Sequence, residues 1–468
     1  MTTATEGRRA PGPRGIPLLG SLPQWKARTA EFLLQTQRDH GEVSRVRLGP
    51  VTMHLVTEPD AVGRVLKDNS ANYVRGTLYE QFRTVMGDGL LTTDGAFWRS
   101  HRRAMQPVFL RGAVAAIGPN VVQATQEMLD VWEEKARRGE PVDLVTETLR
   151  LTLVTLSRSL FGYDVRPEAP VLKDVVDNVI EVMFKHGTLS EMLPSWVPTK
   201  RNRLIKRDRA VFTRLVEDIR RQHADTGQGA LMALIEAAKD PVTGESWTDD
   251  QVRDELLTLY LAGHETTAVA LCWTLVSVLL NPSVQEELDA ELEQALGGRI
   301  PDPADLESLP FTSKVVDEAL RLYPPIWIYP RDTVEADELG GFHIPAKSSV
   351  LLSPLASHRN PRYWDNPEAF DPQRFTPEAI KSRPRMAYIP FGAGARMCIG
   401  NLMALMELRM MVAMINQRFR LSLVPGNFLR YGDSSISLRP TTEVLALPVP
   451  RTAPRRTRKA AVSGVGGA

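Results

Sequence analysis

Cys398 stands in a setting that suits a metal ligand. It follows a turn that contains Gly392 and Gly394, and glycines permit backbone dihedrals and close approaches that a side chain would forbid. Directly after the cysteine, apolar residues recur at helical spacing, at Ile399, Leu402, Met403, Met406 and Met410. Cys398 is therefore expected at or just before a helix N-terminus. There the helix dipole and the unpaired N–H groups favour the thiolate, which is the form of cysteine that binds metals.

The segment around this cysteine, FGAGARMCIG, resembles the haem-binding loop of cytochrome P450 monooxygenases. The family pattern Phe-x-x-Gly-x-Arg-x-Cys-x-Gly is met at Phe391, Gly394, Arg396, Cys398 and Gly400. The resemblance implies that Cys398 is the axial thiolate ligand of a heme b iron and that Phe391, Arg396 and Gly400 help to bind this cofactor. A thiolate ligand pushes electron density toward the O–O bond and so favours its cleavage. For this loop alone, the alternative is a buried structural cysteine.

A long helix is predicted from Thr248 to Leu280. It opens with the capping pair Thr248 and Gln251, and it closes at Asn281-Pro282. At roughly 1.5 Å per residue such a helix would be about 50 Å long, enough to cross a whole domain.

The middle of this helix has an unusual composition. Gly263, Thr266 and Thr267 are residue types that do not favour the middle of a buried helix. The hydroxyl of Thr266 can also donate to the carbonyl of Ala262, four residues earlier. In P450s a matching acid–alcohol pair delivers protons, so the resemblance assigns Glu265 and Thr266 this catalytic role. The alternative is a helix kink with a solvated acid. A zinc-protease motif is excluded, because His-Glu-x-x-His needs a histidine where Ala268 stands.

Glu318 and Arg321 lie three residues apart and can pair on one helix face. Most pairs of this kind are surface salt bridges of small energy. In the P450 family, however, such a pair joins an arginine of a Pro-x-Arg-Phe segment, which is Pro372–Phe375 here. The resemblance therefore implies a structural triad of Glu318, Arg321 and Arg374. The family often has Glu where Gln373 stands, and that departure leaves Arg374 intact.

Trp98 and Arg102 lie four residues apart and share a helix face. Matching positions in P450s hold a haem propionate, and a guanidinium group is suited to a bidentate grip on a carboxylate. The resemblance adds Arg331 and Arg396 as the remaining propionate partners. His101 is expected to be a surface residue, and membership of this propionate-binding group is the alternative.

The resemblance also surrounds the substrate cavity with mostly apolar or aromatic residues, none of them charged. A neutral lipophilic substrate such as a terpene or steroid is therefore expected, rather than one anchored by a carboxylate. The segment from Trp327 to Gly341 is similar to bacterial P450s that oxidise sesquiterpenes, which favours a terpene. The expected pocket residues are Tyr79, Phe82, Met183, Phe184, Trp196, Ala262, Ile326, Trp327, Ile328, Ser435 and Ile436.

One large domain is expected for the 468 residues, because no linker or change of composition divides them. We assign residues 12–449 to a haem-thiolate monooxygenase domain, 1–11 to a flexible N-terminus and 450–468 to a basic disordered tail. The expected fold is the P450-type single domain, mainly α with a small β-sheet subdomain. Short strands are predicted at Ser44 to Leu48, Val51 to Val56, around Gly340-Gly341 and from Ser434 to Leu438.

Composition limits the partners and the compartment. A net charge of +1 argues against nucleic acid. Two cysteines cannot build a disulfide framework, which favours the cytoplasm, and neither a signal peptide nor a membrane anchor is apparent. The resemblance implies a ferredoxin or flavodoxin with its NAD(P)H-dependent reductase, docked on a basic face. That face is expected to contain Arg99, Arg103, Lys381, Arg383 and Arg385, for which ordinary solvated charge is the alternative.

The sequence thus predicts a haem-thiolate monooxygenase that inserts one atom of O2 into an unactivated C–H bond of a neutral lipophilic molecule. Three alternatives remain: a peroxide-driven P450 peroxygenase, a fatty-acid hydroxylase, and a haem-binding protein without turnover. Peroxygenases replace the acid–alcohol pair, so Glu265 and Thr266 argue against the first. A terpene cyclase activity finds no support in Asp249, Asp250 and Asp254, because acids in the first turn of a helix are ordinary.

Overall fold

Helices form most of the described chain, as predicted. The computed structural model describes residues 7–172, 174–175, 178, 196–227, 229–239, 244–427, 429–432 and 437–451. Its α-helices in chain order are α1 (Leu22–Ala27), α2 (Thr29–His40), α3 (Pro59–Gly63), α4 (Thr77–Met86), α5 (Gly95–Met105), α6 (Arg111–Ala116), α7 (Gly118–Arg137), α8 (Leu144–Leu156), α9 (Lys200–Thr226), α10 (Ala230–Ala237), α11 (Asp249–Leu280), α12 (Pro282–Leu296), α13 (Pro310–Leu322), α14 (Pro354–Ser357), α15 (Pro377–Ser382) and α16 (Asn401–Arg418).

The strands form three small sheets among the described residues. The largest has the order β1-β2-β8-β5-β3, a second has the order β4-β10-β9, and β6 pairs with β7. The strand pair predicted around Gly49-Pro50 is confirmed as β1–β2, and the short strands predicted around Gly340-Gly341 are β6 and β7, which pair antiparallel. The strands are β1 (Val43–Leu48), β2 (Val51–Val56), β3 (Tyr73–Val74), β4 (Val142–Asp143), β5 (Tyr329–Thr333), β6 (Asp337–Leu339), β7 (Phe342–Ile344), β8 (Ser349–Leu352), β9 (Phe419–Leu423) and β10 (Leu445–Pro450).

The predicted strand from Ser434 to Leu438 lies only partly within the described residues. Of its described part, Ser437 makes an isolated antiparallel bridge to Ile326. This bridge brings a C-terminal segment to the chain that follows α13.

The long helix α11 is the central element of the fold, and its predicted ends are confirmed. The Thr248 hydroxyl accepts from the N–H of Gln251 at 3.2 Å, and the N–H of Thr248 donates to the Gln251 side chain at 2.8 Å. Most residues from Val252 to Val278 are buried, as expected for a helix that runs through the core. Among the described helices, α11 alone is long and apolar enough to cross a membrane, and 78% of its most apolar window is buried inside the protein.

Gly263 allows α8 to pack closely against the middle of α11. A Cβ atom at Gly263 would lie only 2.8 Å from Leu156 Cδ1. Beside it, the hydroxyl of Thr152 donates to the carbonyl of His264 at 2.9 Å. The close packing of α8 on α11 therefore requires a residue without a side chain at position 263. This contact fixes the part of α11 that carries Glu265 and Thr266.

Most of the helices share one core. Its buried apolar residues come from α4, α5, α6, α7, α8, α9, α10, α11, α12, α13 and α16. Two smaller cores lie at the largest sheet. In one of them Val43 and Val56 pack with Val62 of α3. In the other, Leu33 of α2 packs with Leu55 and Trp327.

The N-terminal segment that we expected to be flexible is held in its described part. The N–H of His343 donates to the carbonyl of Arg8 at 2.9 Å, and the N–H of Arg45 donates to that of Pro11 at 2.6 Å. Residues 7–11 are therefore anchored at strands β7 and β1.

The tail that we expected to begin at residue 450 is also ordered at its start. Pro450 closes β10, and the N–H of Arg451 donates to the carbonyl of Arg418 at 2.9 Å. Residues 452–468 lie outside the described part of the chain.

Candidate active site

A cavity of about 350 Å³ lies between α11 and the loop that carries Cys398. Its walls come from α4, α5, α11, α16, the start of β5 and the segment 390–400, and most of its lining is apolar. Residues that are far apart in the sequence therefore meet at one site. The predicted site residues that line it are Tyr79, Phe82, Trp98, Arg102, Ala262, Glu265, Thr266, Ile326, Arg331, Phe391, Arg396, Cys398 and Gly400.

Cys398 lies directly before the N-terminus of α16, for which Gly400 is the N-cap. Its own N–H donates to the carbonyl of Phe391 at 2.9 Å, which closes the loop. Burial raises the pKa of the Cys398 thiol, whereas a hydrogen bond from the Gly400 N–H and the charge of Arg102 lower it. The thiol is surrounded by protein and is nevertheless accessible, because it lines the cavity. A group bound in the cavity can therefore reach the sulfur.

Gly394 in this loop could not be replaced without moving the backbone. Its φ is 68°, in the left-handed region, and a Cβ atom would lie 2.0 Å from the carbonyl oxygen of Leu66. The glycine thus lets the cysteine loop pack directly on the helical turn at Leu66.

The guanidinium of Arg396 is held by contacts on several sides. It lies 3.8 Å above the ring of Trp98, donates to the carbonyl of Thr93 at 2.8 Å and pairs with Asp94. Arg102 donates to the carbonyl of Met397 at 2.9 Å. These contacts attach α5 to the cysteine loop.

Arg75 lies at the same cavity wall, and it was not predicted. Its Nε and Nη1 are buried and have no hydrogen-bond partner among the described residues. Burial lowers its pKa, and burial with the neighbouring charge of Arg75 lowers the pKa of Arg396 to about 9. Arg331 also lines this wall, and it donates to the carbonyl of Pro330 at 2.7 Å. Buried cations that lack a counter-anion fit the two carboxylates of a haem.

The acid–alcohol pair lies at the cavity wall formed by α11. The Thr266 hydroxyl donates to the carbonyl of Ala262 at 2.6 Å, as its spacing predicted. The Glu265 carboxylate is buried and accepts from the hydroxyl of Ser437 at 2.6 Å. Ser437 also lines the cavity, and it was missing from the predicted site. The sequence carries no signal for this contact, since the two residues are 172 positions apart.

Glu318 and Arg321 of α13 lie together with Arg374 of the helical turn Pro372–Phe375. Arg321 donates to both carboxylate oxygens of Glu318 at 2.7 Å, and both side chains are fully buried. Arg374 Nε lies 3.4 Å from Glu318 Oε1. Arg321 also donates to the carbonyls of His358, Pro367 and Ala369 at 2.7–3.0 Å. Through these bonds the buried Arg321 side chain holds the backbone at His358, Pro367 and Ala369 against α13.

His101 is not a surface residue, contrary to expectation. Only 1% of it is exposed, and its ring stacks between those of Phe97 and Trp247, with both centroid distances at 3.9 Å. Its Nδ1 lies 2.7 Å from Glu255 Oε1. The buried acid on α11 accounts for the burial of this polar ring.

Several residues expected at the substrate pocket do not line the cavity. Trp327 is buried in the core at α2, because neighbours in an extended segment point to opposite sides and Ile326 takes the cavity side. Ile328 packs against the same core as Trp327. Trp196 is 80% exposed. Met183, Phe184, Ser435 and Ile436 lie outside the described residues.

Glu407 of α16 also lines the cavity and was not predicted. It is 4% exposed, and its Oε1 has no partner among the described residues. Burial raises the pKa of this carboxyl to about 8.

Comparisons with known proteins agree with this geometry. A sequence model of the family described as Cytochrome P450 matches residues 10–443. Cyclooctatin synthase of Streptomyces melanosporofaciens is 34% identical over 428 residues, covering 90% of this chain and 92% of that protein. Cyclooctat-9-en-7-ol 5-monooxygenase of the same organism is 34% identical over 424 residues, covering 89% and 90%.

The solved structures include a similar fold. The crystal structure of the cytochrome P450DA heme domain superimposes with a TM-score of 0.83 at 26% identity, covering 95% of this chain and 97% of that one. The chain therefore belongs to the cytochrome P450 family, and it is a monooxygenase of that family.

Proposed function

We propose that this P450 hydroxylates an unactivated C–H bond of a neutral, lipophilic carbocycle of the terpene class. The observation that carries the proposal is the apolar cavity between Cys398 and the pair Glu265 and Thr266. A substrate held there by apolar contacts lies between the cysteine loop and the part of α11 that carries Glu265 and Thr266. We also propose the bacterial cytoplasm as its compartment.

The cofactor that we propose is heme b. When bound, it supplies the activation of O2. Cys398 offers the thiolate at the floor of the cavity, and Trp98 and Arg396 form a stacked wall beside it. Arg75, Arg102 and Arg331 present cations at the same cavity. Gly400 favours the thiolate through its N–H, and Phe391 closes the loop through its carbonyl.

Glu265 and Thr266 are proposed to move protons into the cavity. The carboxylate holds or releases a proton. The hydroxyl of Thr266, which donates to the carbonyl of Ala262, can pass a proton on when its O–H turns from that carbonyl toward the cavity. Both side chains line the cavity, so a proton that leaves them arrives where oxygen and substrate must meet.

The lining argues for a neutral substrate. The cations that line the described part of the cavity are Arg75, Arg102, Arg331 and Arg396. The first three are assigned to the proposed cofactor, and Arg396 already pairs with Asp94. A fatty acid would need a further cation for its carboxylate. The name of the similar monooxygenase gives an alcohol with one carbon–carbon double bond as its substrate, cyclooctat-9-en-7-ol, which is neutral.

We propose a small acidic ferredoxin or flavodoxin, with its NAD(P)H-dependent reductase, as the electron donor. Arg99 and Arg103 on α5 are exposed, as are Lys381 and Arg385 ahead of the cysteine loop. Arg383 does not belong to this set of docking charges. Its guanidinium stacks 3.9 Å above the ring of Trp364 and donates to the Arg374 carbonyl.

The decisive experiment compares Thr266→Ala with Thr274→Ala. Thr274 is a control on the same helix, with the same 2.6 Å bond to the carbonyl four residues earlier, and it does not line the cavity. In Thr266→Ala, oxygen uptake should continue while hydroxylated product falls by about 10²-fold and hydrogen peroxide rises. Thr274→Ala should couple NAD(P)H oxidation to product as the parent does.

Other outcomes would contradict the proposal. Equal coupling in Thr266→Ala and the parent would remove the proton-delivery role of Thr266. Undiminished product with hydrogen peroxide as sole oxidant would identify a peroxygenase. A protein without turnover would show no substrate-dependent oxygen uptake in any variant.

A further inference from the structure

We infer that Ser437 is a positioning residue for proton delivery, acting through Glu265. Its hydroxyl donates to Glu265 Oε1 at 2.6 Å, and the two residues are 1% and 5% exposed. No other side chain of the described residues donates a hydrogen bond to this carboxylate. The inference rests on the proposed role of Glu265 and adds the residue that sets its orientation.

The segment that carries Ser437 is fixed to two parts of the fold. Ser437 bridges Ile326, and the N–H of Leu438 donates to the carbonyl of Pro325 at 2.9 Å. The carbonyl of Leu438 in turn accepts from the indole N–H of Trp273 at 2.7 Å. Trp273 belongs to α11, so the hydroxyl of Ser437 is held in register with the helix that carries Glu265.

This bond selects one orientation of a flexible side chain. A glutamate has three rotatable side-chain torsions, and a short bond to a carboxylate in a buried site is among the stronger hydrogen bonds of proteins. The bond engages Oε1 and keeps the Glu265 carboxyl at the wall of the cavity. Without it, the carboxyl could turn away from the path along which Thr266 passes a proton.

The same segment also contacts the space that the substrate takes. Ile326 and Ser437 both line the cavity. A molecule that contacts Ile326 therefore touches the bridge that holds Ser437, the residue that orients Glu265. Ser437 thus links the fit of the substrate to the delivery of protons, and its loss should raise the fraction of reducing equivalents that yield peroxide.

The test uses the haem-loaded enzyme with Ser437→Ala, Ser437→Thr and Ser277→Ala. Ser277 is a buried serine of α11 that does not line the cavity. The probe is the neutral carbocycle that shifts the absorption spectrum most in a panel that includes cyclooctat-9-en-7-ol. Ser437→Ala should lower product formed per NAD(P)H by about tenfold, the factor expected for a lost bond to a charged group. It should also change the solvent isotope effect on turnover, and Ser437→Thr should restore coupling in part. Ser277→Ala should behave as the parent does.

A double-mutant cycle with Glu265→Gln separates this inference from the proposed function. If Ser437 acts through Glu265, Ser437→Ala should add no further loss in the Glu265→Gln background. A loss that persists in that background would overturn the positioning role. Normal coupling in Ser437→Ala, with poor coupling in Glu265→Gln, would overturn this inference alone. Normal coupling in Glu265→Gln itself would overturn the proton-delivery role of Glu265, and this inference with it.

Discussion

His101 and Glu255 form a buried pair in which Nδ1 of the histidine lies 2.7 Å from Oε1 of the glutamate. The other carboxylate oxygen accepts from the N–H of Leu90 at 3.1 Å, and Leu90 lines the cavity. The preceding residue on α11, Asp254, accepts from the N–H of Asp88 at 2.9 Å. Two consecutive acids of α11 therefore hold the loop before α5 in place as a wall of the active-site cavity.

Replacing Glu255 by alanine should destabilise the protein strongly. It removes the partner of a fully buried histidine and of a buried N–H, a loss that costs about 3–5 kcal/mol of unfolding free energy. The midpoint of urea unfolding should fall with little change in slope. Glu286→Ala, at an exposed position of α12, is the control and should change little. Equal midpoints in the two variants would show that the pair carries no stability.

Cys398→Ser should abolish the far red-shifted Soret band of the reduced carbon monoxide complex. The serine hydroxyl cannot supply the thiolate on which that band depends. Cys272→Ser is the matched control, because Cys272 is 1% exposed in the core on α11 and lies outside the cavity. A normal band in Cys398→Ser, or a lost band in Cys272→Ser, would overturn the assignment of the ligand.

Glu318→Ala should yield mostly haem-free or insoluble protein. The change leaves Arg321 and Arg374 without the carboxylate between them, at a cost of about 3–5 kcal/mol. Glu31→Ala is the control, because it also removes the glutamate of a Glu–Arg pair with a spacing of three residues. Glu31 pairs with Arg28 three residues away, but these side chains are 60% and 72% exposed, so its loss should cost no more than about 1 kcal/mol. Normal haem loading in Glu318→Ala would show that the triad is dispensable.

Local patterns predicted the elements that depend on nearby residues. The capping box of Thr248 and Gln251 sets the N-terminus of α11, and Asn281-Pro282 ends the helix. Each end thus depends on only a few neighbouring residues. The cysteine loop is similarly local, since its turn uses Gly392 and Gly394 at positive φ, a conformation that glycine readily adopts. Such features follow from backbone geometry and hydrogen-bonding needs that are visible in the sequence.

The missed residues depend on contacts between distant segments. Arg75 reaches the cavity because β3 pairs with β5, which sets Val74 opposite Asp332, beside Arg331. His101 is buried because an acid 154 positions later faces it. Pairing register and helix packing decide such contacts, and neither leaves a pattern in the local sequence.

Reversing the charge of Arg99, Arg103 and Arg385 to glutamate should slow reduction by an acidic ferredoxin. It should also flatten the salt dependence of the rate, because steering by exposed charges is screened over about 10 Å at roughly 0.1 M salt. The control reverses Arg203, Lys206 and Arg214, which are exposed on α9. Stopped-flow reduction measured across salt concentrations gives both quantities. Equal rates and slopes in the two triple variants would place the docking face elsewhere.

Glu407→Gln should remove a pH dependence of stability that the parent shows. Burial raises the pKa of Glu407 to about 8 in the folded protein, above the 4.5 of a solvated glutamate. Between these values the unfolded chain releases this proton and the folded protein keeps it, so this group makes stability fall as the pH rises. The slope can reach about 1.4 kcal/mol per pH unit. Urea unfolding at several pH values from 5 to 8 should therefore show a shallower decline of the free energy of unfolding in Glu407→Gln than in the parent. The glutamine side chain has the same shape as glutamate but cannot ionise. The exposed Glu286→Gln should follow the parent, and a decline equally steep in all three proteins would mean that Glu407 is ionised in the fold.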